Sequence, residues 1–451
     1  MLVTRGGFTQ IVGNAFAGIG FPAEGPTVYE FPIEMFDSGS DLTPINENID
    51  KIVYGLTKWE PKVKEKGVFT PPKATVQGKD YEEAVANMNL LLLKNMWGDG
   101  LPILPATEER VNWILTGTDL SPDTEIGRIL PRGGIGTVNA LAVALAMAGG
   151  RPEHLPVLIA VVEAVTQPGY GLEGCNATTN SNIPAVVVNG PIAKQIRLNS
   201  GYGCLGPDPQ RSAGGPIGRA IRVVMQNMGG AIPGIGTMAI YGGMRYTNAV
   251  FAEDEDGLPP GWPSLSVERG FSKDANVITA TVVSSMTNIL WFFGTKEQND
   301  SVLTLLAKVM GAPNLNRYGA TWEDPDVGTG LALIPRGVAA SLAEVSGYSK
   351  ADVKTFLWNN SKAPWDDFVA TGMEAWAKTF PTKFPEGQAV PLTPKPEMIR
   401  LVVAGGAQSG HGYWMECGNI RLTISAEIKV PANWDELLKQ AEEDLGPLPA
   451  A

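Results

Sequence analysis

Residues 183–198 read IPAVVVNGPIAKQIRL. A β-branched run ends at Asn189-Gly190 and gives way to a short helical pattern, so the stretch is a strand-loop-helix unit. Strands and helices alternate in the same way on either side of it, which predicts an α/β or α+β fold of layered sheets with covering helices. Downstream, PIGRAIRVVMQNM (216–228) places Ile217, Ile221, Val224, Met225 and Met228 on one stripe, with Arg219, Arg222 and Gln226 opposite. NVITATVVSS is a β-rich run, DSVLTLLAKVMG an amphipathic helix, GLALIP a short strand and GVAASLAEVSG a helix; Ser349 and Asp352 then form a capping box before ADVKTFLWNN. The last unit is the strand MIRLVVAGG, a Gly/Ser/His loop, the strand NIRLTISAEI and the helix NWDELLKQAEEDLG, capped by Asn433. Upstream, GTVNALAVALAMAGG and PEHLPVLIAVVEAV read as two buried helices.

A length of 451 residues suits two or three domains, and 44% hydrophobic with 18% charged residues is the composition of a globular chain with a sizeable core. The 53 glycines and 35 prolines form no periodic tract and read as structured turns. A net charge of −12, without a clustered Lys/Arg face, excludes nucleic acid as an expected partner. The apolar stretches are short and interrupted, so no membrane span is expected. No continuous apolar region with a cleavage site opens the sequence, which predicts a cytoplasmic protein. Three cysteines spread along the chain make no disulfide framework and fit a reducing compartment.

Residues 1–57 read as a helix, an extended segment (TVYEFPIEMF) and a second helix (NENIDKIVYGLTKW). That partial α/β unit is too small to bury a core alone and must add to a sheet elsewhere in the chain or in a second polypeptide. The Lys- and Pro-rich residues 58–79 read as a linker, and the main domain spans 80–451, opening with Asp80 and Glu83 as a helix cap. Thr107 caps the next helix, EERVNWILTG.

The strongest chemical constellation lies within 171–234. SAGGP ahead of a helix leaves unpaired N–H groups at Gly214 and Gly215, an expected anion pocket. Arg211 and Arg219 are candidate bidentate donors, with Thr178, Thr179 and Asn182 as further hydrogen-bonding groups; the alternative is that the helix arginines are solvated. Cys175 lies in GLEGCNATTNSN and Cys204 in SGYGCLGP. A thiol among glycines and arginines can be a nucleophile, a redox centre or a metal ligand, and Cys175, Cys204 and Cys417 together match an iron–sulfur cluster with an open iron or another metal; buried, inert cysteine is the competing reading. His411 follows a strand end in AGGAQSGHGYWMECG and is a candidate proton carrier, with Cys417 six residues on, whereas His154 reads as a cap or an exposed group. The run EDED at 253–256 lacks calcium-loop spacing and reads as a solvated loop; Trp97, Trp262 and Trp291 read as core or interface anchors.

MWGDGLPILPATEERVNWILTGT, ATTNSNIPAVVVNGPI, LGPDPQRSAGGPIGRAIRVVMQNMGG and SVERGF resemble the large companions of UGSC proteins, a family named for a selenocysteine- or cysteine-Gly-Ser-Cys motif. The resemblance covers residues 80 to about 440, and residues 1–57 resemble the C-terminal half of a UGSC-type α/β domain without its reactive motif. It implies a second subunit that supplies the rest of that domain with a reactive cysteine or selenocysteine. The sequence departs from the family pattern at Asn139 and Gly150, where Glu and Cys are expected, and at Cys175 and Cys204. The expected function is therefore that of one subunit of a heteromeric enzyme acting on a small organic anion by thiol-dependent redox or lyase chemistry. The alternatives are an iron–sulfur hydro-lyase and a non-catalytic binding subunit.

Overall fold

The computed structural model describes residues 2–5, 9, 12–13, 16, 28–31, 41–60, 73–242, 247–312, 326–327, 329–370, 387–417 and 422–448. The chain opens with β1 (Leu2–Arg5), β2 (Val28–Phe31), α1 (Thr43–Glu47) and α2 (Ile49–Thr57). After 61–72, which lie outside the described residues, come α3 (Tyr81–Asn95), α4 (Glu108–Leu115), the hairpin β3 (Glu125–Ile129) and β4 (Gly134–Thr137), then α5 (Val138–Met147), α6 (Leu155–Val165) and α7 (Leu172–Ala177). The first half of the main sheet follows as β5 (Ile183–Asn189), α8 (Ile192–Gln195), α9 (Gly214–Asn227), β6 (Ala249–Ala252), α10 (Leu265–Glu268) and β7 (Val277–Trp291). The second half is α11 (Lys296–Met310), β8 (Gly330–Ile334), α12 (Arg336–Glu344), α13 (Lys350–Asn360), α14 (Trp365–Ala370), β9 (Leu401–Val403) and β10 (Gly410–Cys417), and β11 (Ile424–Glu427) and α15 (Trp434–Leu445) close the chain. The α/β class expected from alternation is the one observed.

Strand order in the seven-stranded sheet is β6-β5-β7-β10-β8-β9, with β11 on β7. The order is palindromic in kind: β5 and β6 are parallel with β7 antiparallel to β5, and β8 and β9 are parallel with β10 antiparallel to β8. The long strands β7 and β10 join the two halves, Gly410 to Cys417 pairing with Trp291 back to Val283. Every residue of β5 is buried, as its unbroken apolar run requires of a strand covered on both faces. In β7 the first seven residues, flanked by β5, are buried, and beyond Val283, where β5 stops, the positions are exposed or partly covered except for Ile289, which packs into the core of the second half.

One face of the β5/β6/β7 half packs on α5, α6 and α9, and one face of the β8/β9/β10 half on α11, α12 and α13. The alternate residues of all six strands, among them Val187, Phe251, Val283, Leu333, Val402 and Met415, meet in a third cluster. The edge strands come together there: Asp254 N–H, just past β6, donates to the carbonyl of Val403 on β9 (2.7 Å). The sheet is curled, and residues 199–205 fill its seam. Ala252 N–H donates to Asn199 O (2.9 Å), Gly405 N–H donates to Ser200 O (2.8 Å), and Cys204 and Leu205 pack on the enclosed cluster.

Most local signals hold. Asp80, Thr107 and Ser349 accept from Glu83, Arg110 and Asp352 N–H as helix caps. Asn433 occupies the N-cap position of α15 without a side-chain cap bond; its amide donates to Thr116 O instead (3.3 Å). The expected Gly/Ser/His loop is shorter than anticipated, because β10 begins at Gly410, where a Cβ would lie 2.1 Å from Trp291 O on the paired strand. The N-terminal strand Val28–Phe31 and helix α2 match the expected extended segment and second helix; β1 was not foreseen, and most of the expected first helix lies outside the described residues. β1 and β2 form a separate two-stranded parallel sheet. Among the described residues no single helix is long and apolar enough to cross a membrane.

Two glycines are fixed by geometry. Gly190 has φ +91°, and a Cβ on it would lie 2.3 Å from Ala275 O, so the Asn-Gly turn after β5 needs glycine. Gly218 lets α9 rest on the chain entering β6: a Cβ would lie 1.9 Å from Thr247 O, and the closeness allows Asn248 to donate to Gly218 O (2.8 Å). Gly218→Ala should lower unfolding free energy by roughly 1–3 kcal/mol, read by urea denaturation, because α9 must move off β6.

Candidate functional site

The predicted site residues do not assemble into one pocket. Cys175 lies in α7 and is fully buried, Cys417 ends β10 and is 2% exposed, and Cys204 sits in the seam loop; none is in a disulfide. Cys175 and Cys417 share a neighbourhood, since both act with burial to push the Tyr170 hydroxyl well above its ordinary pKa. Cys204 is instead beside Tyr413 and Asp254. Burial pushes its thiol up to about 12, against the pull of local backbone N–H groups, so it is protonated at neutral pH. A thiolate nucleophile requires the opposite shift. Among the described residues no group of three His, Cys, Asp or Glu side chains is placed to hold a metal ion, which removes the three-cysteine cluster.

His411 is on β10, with Nδ1 2.9 Å from Asn288 Oδ1. Six strand residues put it about 20 Å from Cys417 by rise alone, too far for proton transfer between them. His154 is 3% exposed, and its Nδ1 accepts from Arg151 N–H (3.3 Å), so the capping role holds and the exposed one does not. Burial holds His154 down from 6.5 to about 4.

The expected anion pocket also comes apart. Arg219 makes a two-pronged pair with the buried carboxylate of Asp99 (2.7 and 3.0 Å) and donates to Pro102 O (2.9 Å). Arg222 and Gln226 are buried as well, so the polar face of α9 is covered by the Trp97–Pro102 segment rather than solvated. Arg211 stands 3.8 Å from Asp208. Gly214 abuts Val250 O, while Gly215 faces open space. By the β5/β6 register Val250 is level with Val186, four residues or about 13 Å beyond Asn182. Thr178 Oγ1 accepts from Asn180 N–H (3.1 Å), and the Thr179 carbonyl accepts from Ile240 N–H (2.9 Å). Asn182 is 1% exposed, with neither amide atom hydrogen-bonded among the described residues.

The acidic run, expected to be solvated, is a structural hub. Glu253 and Asp254 are each 3% exposed. Glu253 accepts from Asn189 (2.8 Å) and from Leu265 N–H (2.7 Å), and Asp254 takes both prongs of Arg336 (2.6 Å each). Glu255 accepts from Gly190 N–H (2.7 Å). Burial pushes the Glu253 carboxyl up, while Lys350, 3.7 Å away, pulls it back. Lys350 also reaches Glu268 (3.0 Å) and Pro263 O (2.7 Å), and Glu268 in turn holds Lys354 (2.6 Å).

That chain of charges ends in a cleft of about 680 Å³ lined by Glu268, Arg269, Lys354, Arg400, Thr423 and Ser425 among others. Arg269 is pinned by Thr423 O (2.8 Å), Asp326 (2.9 Å) and Ser425. Burial pushes the Lys354 ammonium down, Lys350 and Arg400 acting the same way and Glu268 opposing. A desolvated lysine beside other cations in a cleft is a functional-site pattern. The sequence marks Lys354 only as a lysine on the buried face of a helix that begins at a capping box, and no motif pointed to it. The Trp expectation divides: Trp262 is core and bonds Tyr348 O (3.2 Å), Trp97 lines a second cleft, and Trp291 is 48% exposed.

Two outcomes follow. Arg219→Met leaves Asp99 buried without its partner and should cost on the order of 3 kcal/mol in urea unfolding. His154 binds a proton in the unfolded chain below pH 6.5 but in the folded one only near 4, so stability falls across that window as pH drops, by on the order of 3 kcal/mol at its end. His154→Asn, which keeps an acceptor for Arg151, should flatten that part of the profile.

Comparison of the chain with protein-family models, with curated proteins and with solved structures finds no match in any of the three.

Proposed function

We propose that the protein is an enzyme that removes a carbon-bound proton from a small organic anion in the Lys354 cleft, as the first step of a lyase reaction. The observation behind this reading is the lowered pKa of Lys354 on the wall of a cleft large enough for a small substrate. A lysine shifted down keeps more free amine near neutral pH and is a better-matched base. Arg269, Lys354 and Arg400 equal Glu268, Asp326 and Glu397 in number on the lining, and those three cationic side chains are the groups that would receive an anion. In the first step the Lys354 amine takes the proton and the C–H electron pair is held as the enolate of the neighbouring carboxylate; that pair then either takes a proton back from the ammonium or forms the new double bond as the leaving group departs with the pair of the bond it loses. Glu268, 2.6 Å from Nζ, accepts a hydrogen bond from the resulting ammonium. Cys204, protonated at neutral pH, takes no part.

A second subunit belongs to the same proposal. An isolated two-stranded parallel sheet is marginal in water, and such sheets are ordinarily covered on both faces. Beside β1 and β2, the helices α1 and α2 and the residues before them leave Leu42, Ile49, Tyr54 and Leu56 exposed.

Proton abstraction is measurable without knowing the leaving group. Incubating the protein in D2O with small 2- and 3-hydroxycarboxylates should replace an α-proton in at least one of them, followed by proton NMR. Lys354→Met should slow exchange about 100-fold or more. The native rate should climb with pH and level off below the 10.5 of an ordinary lysine, because only the neutral amine is the base. Exchange that survives Lys354→Met, or none across the panel, would reject the assignment.

A further inference from the structure

We infer that the cavity between α3, α4, α5 and α9 is a second ligand site, for a neutral molecule with an apolar body and a carboxamide head. Its volume is about 550 Å³, inside the range of small-molecule sites. The space exists because α3, although rich in leucine, buries none of its fifteen residues: Met88 and Leu92 lean on the core without closing on α5. Walls such as Leu92, Val143 and Met147 then lack contact atoms on one side, which an apolar guest restores.

The head group is specified by an unmet bond. Asn227 donates through Nδ2 to Trp97 O (3.0 Å), which fixes the direction of its amide, and its Oδ1 is buried with no donor among the described residues. An acceptor held in that state favours a guest that brings an N–H or O–H. Asn139, also on the wall, carries a carboxamide able to donate and accept, so a head with both functions fits better than an alcohol alone. Charge is not called for. Of the described lining residues only Lys73 and Glu108 are charged, and they face each other at 3.6 Å with side chains 87% and 77% exposed.

Isothermal titration of the full chain with 1-naphthamide and with methyl 1-naphthoate tests this, since the ester keeps the body and the acceptor but lacks the donor. The amide should bind saturably and the ester at least tenfold more weakly. Asn227→Leu should bring the amide down to the affinity of the ester. Val143→Trp, which fills the cavity, should abolish both while the unfolding midpoint is retained. Equal affinity for the two probes, binding that persists in a folded Val143→Trp variant, or no saturable binding of the amide at millimolar concentration would each overturn the inference.

Discussion

The backbone of β7 must find partners along fifteen residues, and the rest of the molecule is arranged around that demand. On one edge it pairs with β5 over Val277–Val283; on the other it pairs with β11 over Val277–Ala280 and with β10 over Val283–Trp291. Burial follows the ladders. Where β7 has neighbours on both edges every residue is buried, and where β5 ends the strand becomes exposed or partly covered, Ile289 excepted.

A second set of links joins the two halves of the sheet, and it is ionic. Glu253, Asp254 and Glu268 belong to the β5/β6/β7 half, while Lys350, Lys354 and Arg336 belong to the helices of the β8/β9/β10 half. Charges this deeply buried cost desolvation that attraction only partly offsets, so their value lies more in fixing one geometry than in raw stability. The Lys354 cleft opens at this junction, where the orientation of an amine is set by both halves at once.

What could be read from the sequence was local. IPAVVVNG announced a buried strand and its turn, and Asp80, Thr107 and Ser349 announced helix starts, because each signal is complete within about four residues. Arg219 and the acidic run were misread for the opposite reason. Whether Arg219 is solvated depends on Asp99, 120 residues earlier, and whether Glu253 is solvated depends on Lys350, which comes far later in the chain. The glycines around His411 suggested a loop because composition does not distinguish a turn from a strand pressed against a neighbour. The Lys354 cleft left no motif, since its lining comes from segments between Gln167 and Ser425.

The palindromic strand order also bears on how the chain is made. β7 is complete at residue 291, but the strand that covers its second edge begins only at residue 410. At roughly 5–20 residues per second, translation of that interval lasts on the order of ten seconds, during which β7 offers an unpaired and partly apolar edge. The exposed stretch Leu290–Phe292 lies at the end of that edge. A nascent chain of this protein is therefore at greatest risk of pairing with another copy between the emergence of β7 and that of β10 and β11, which bring that period to a close.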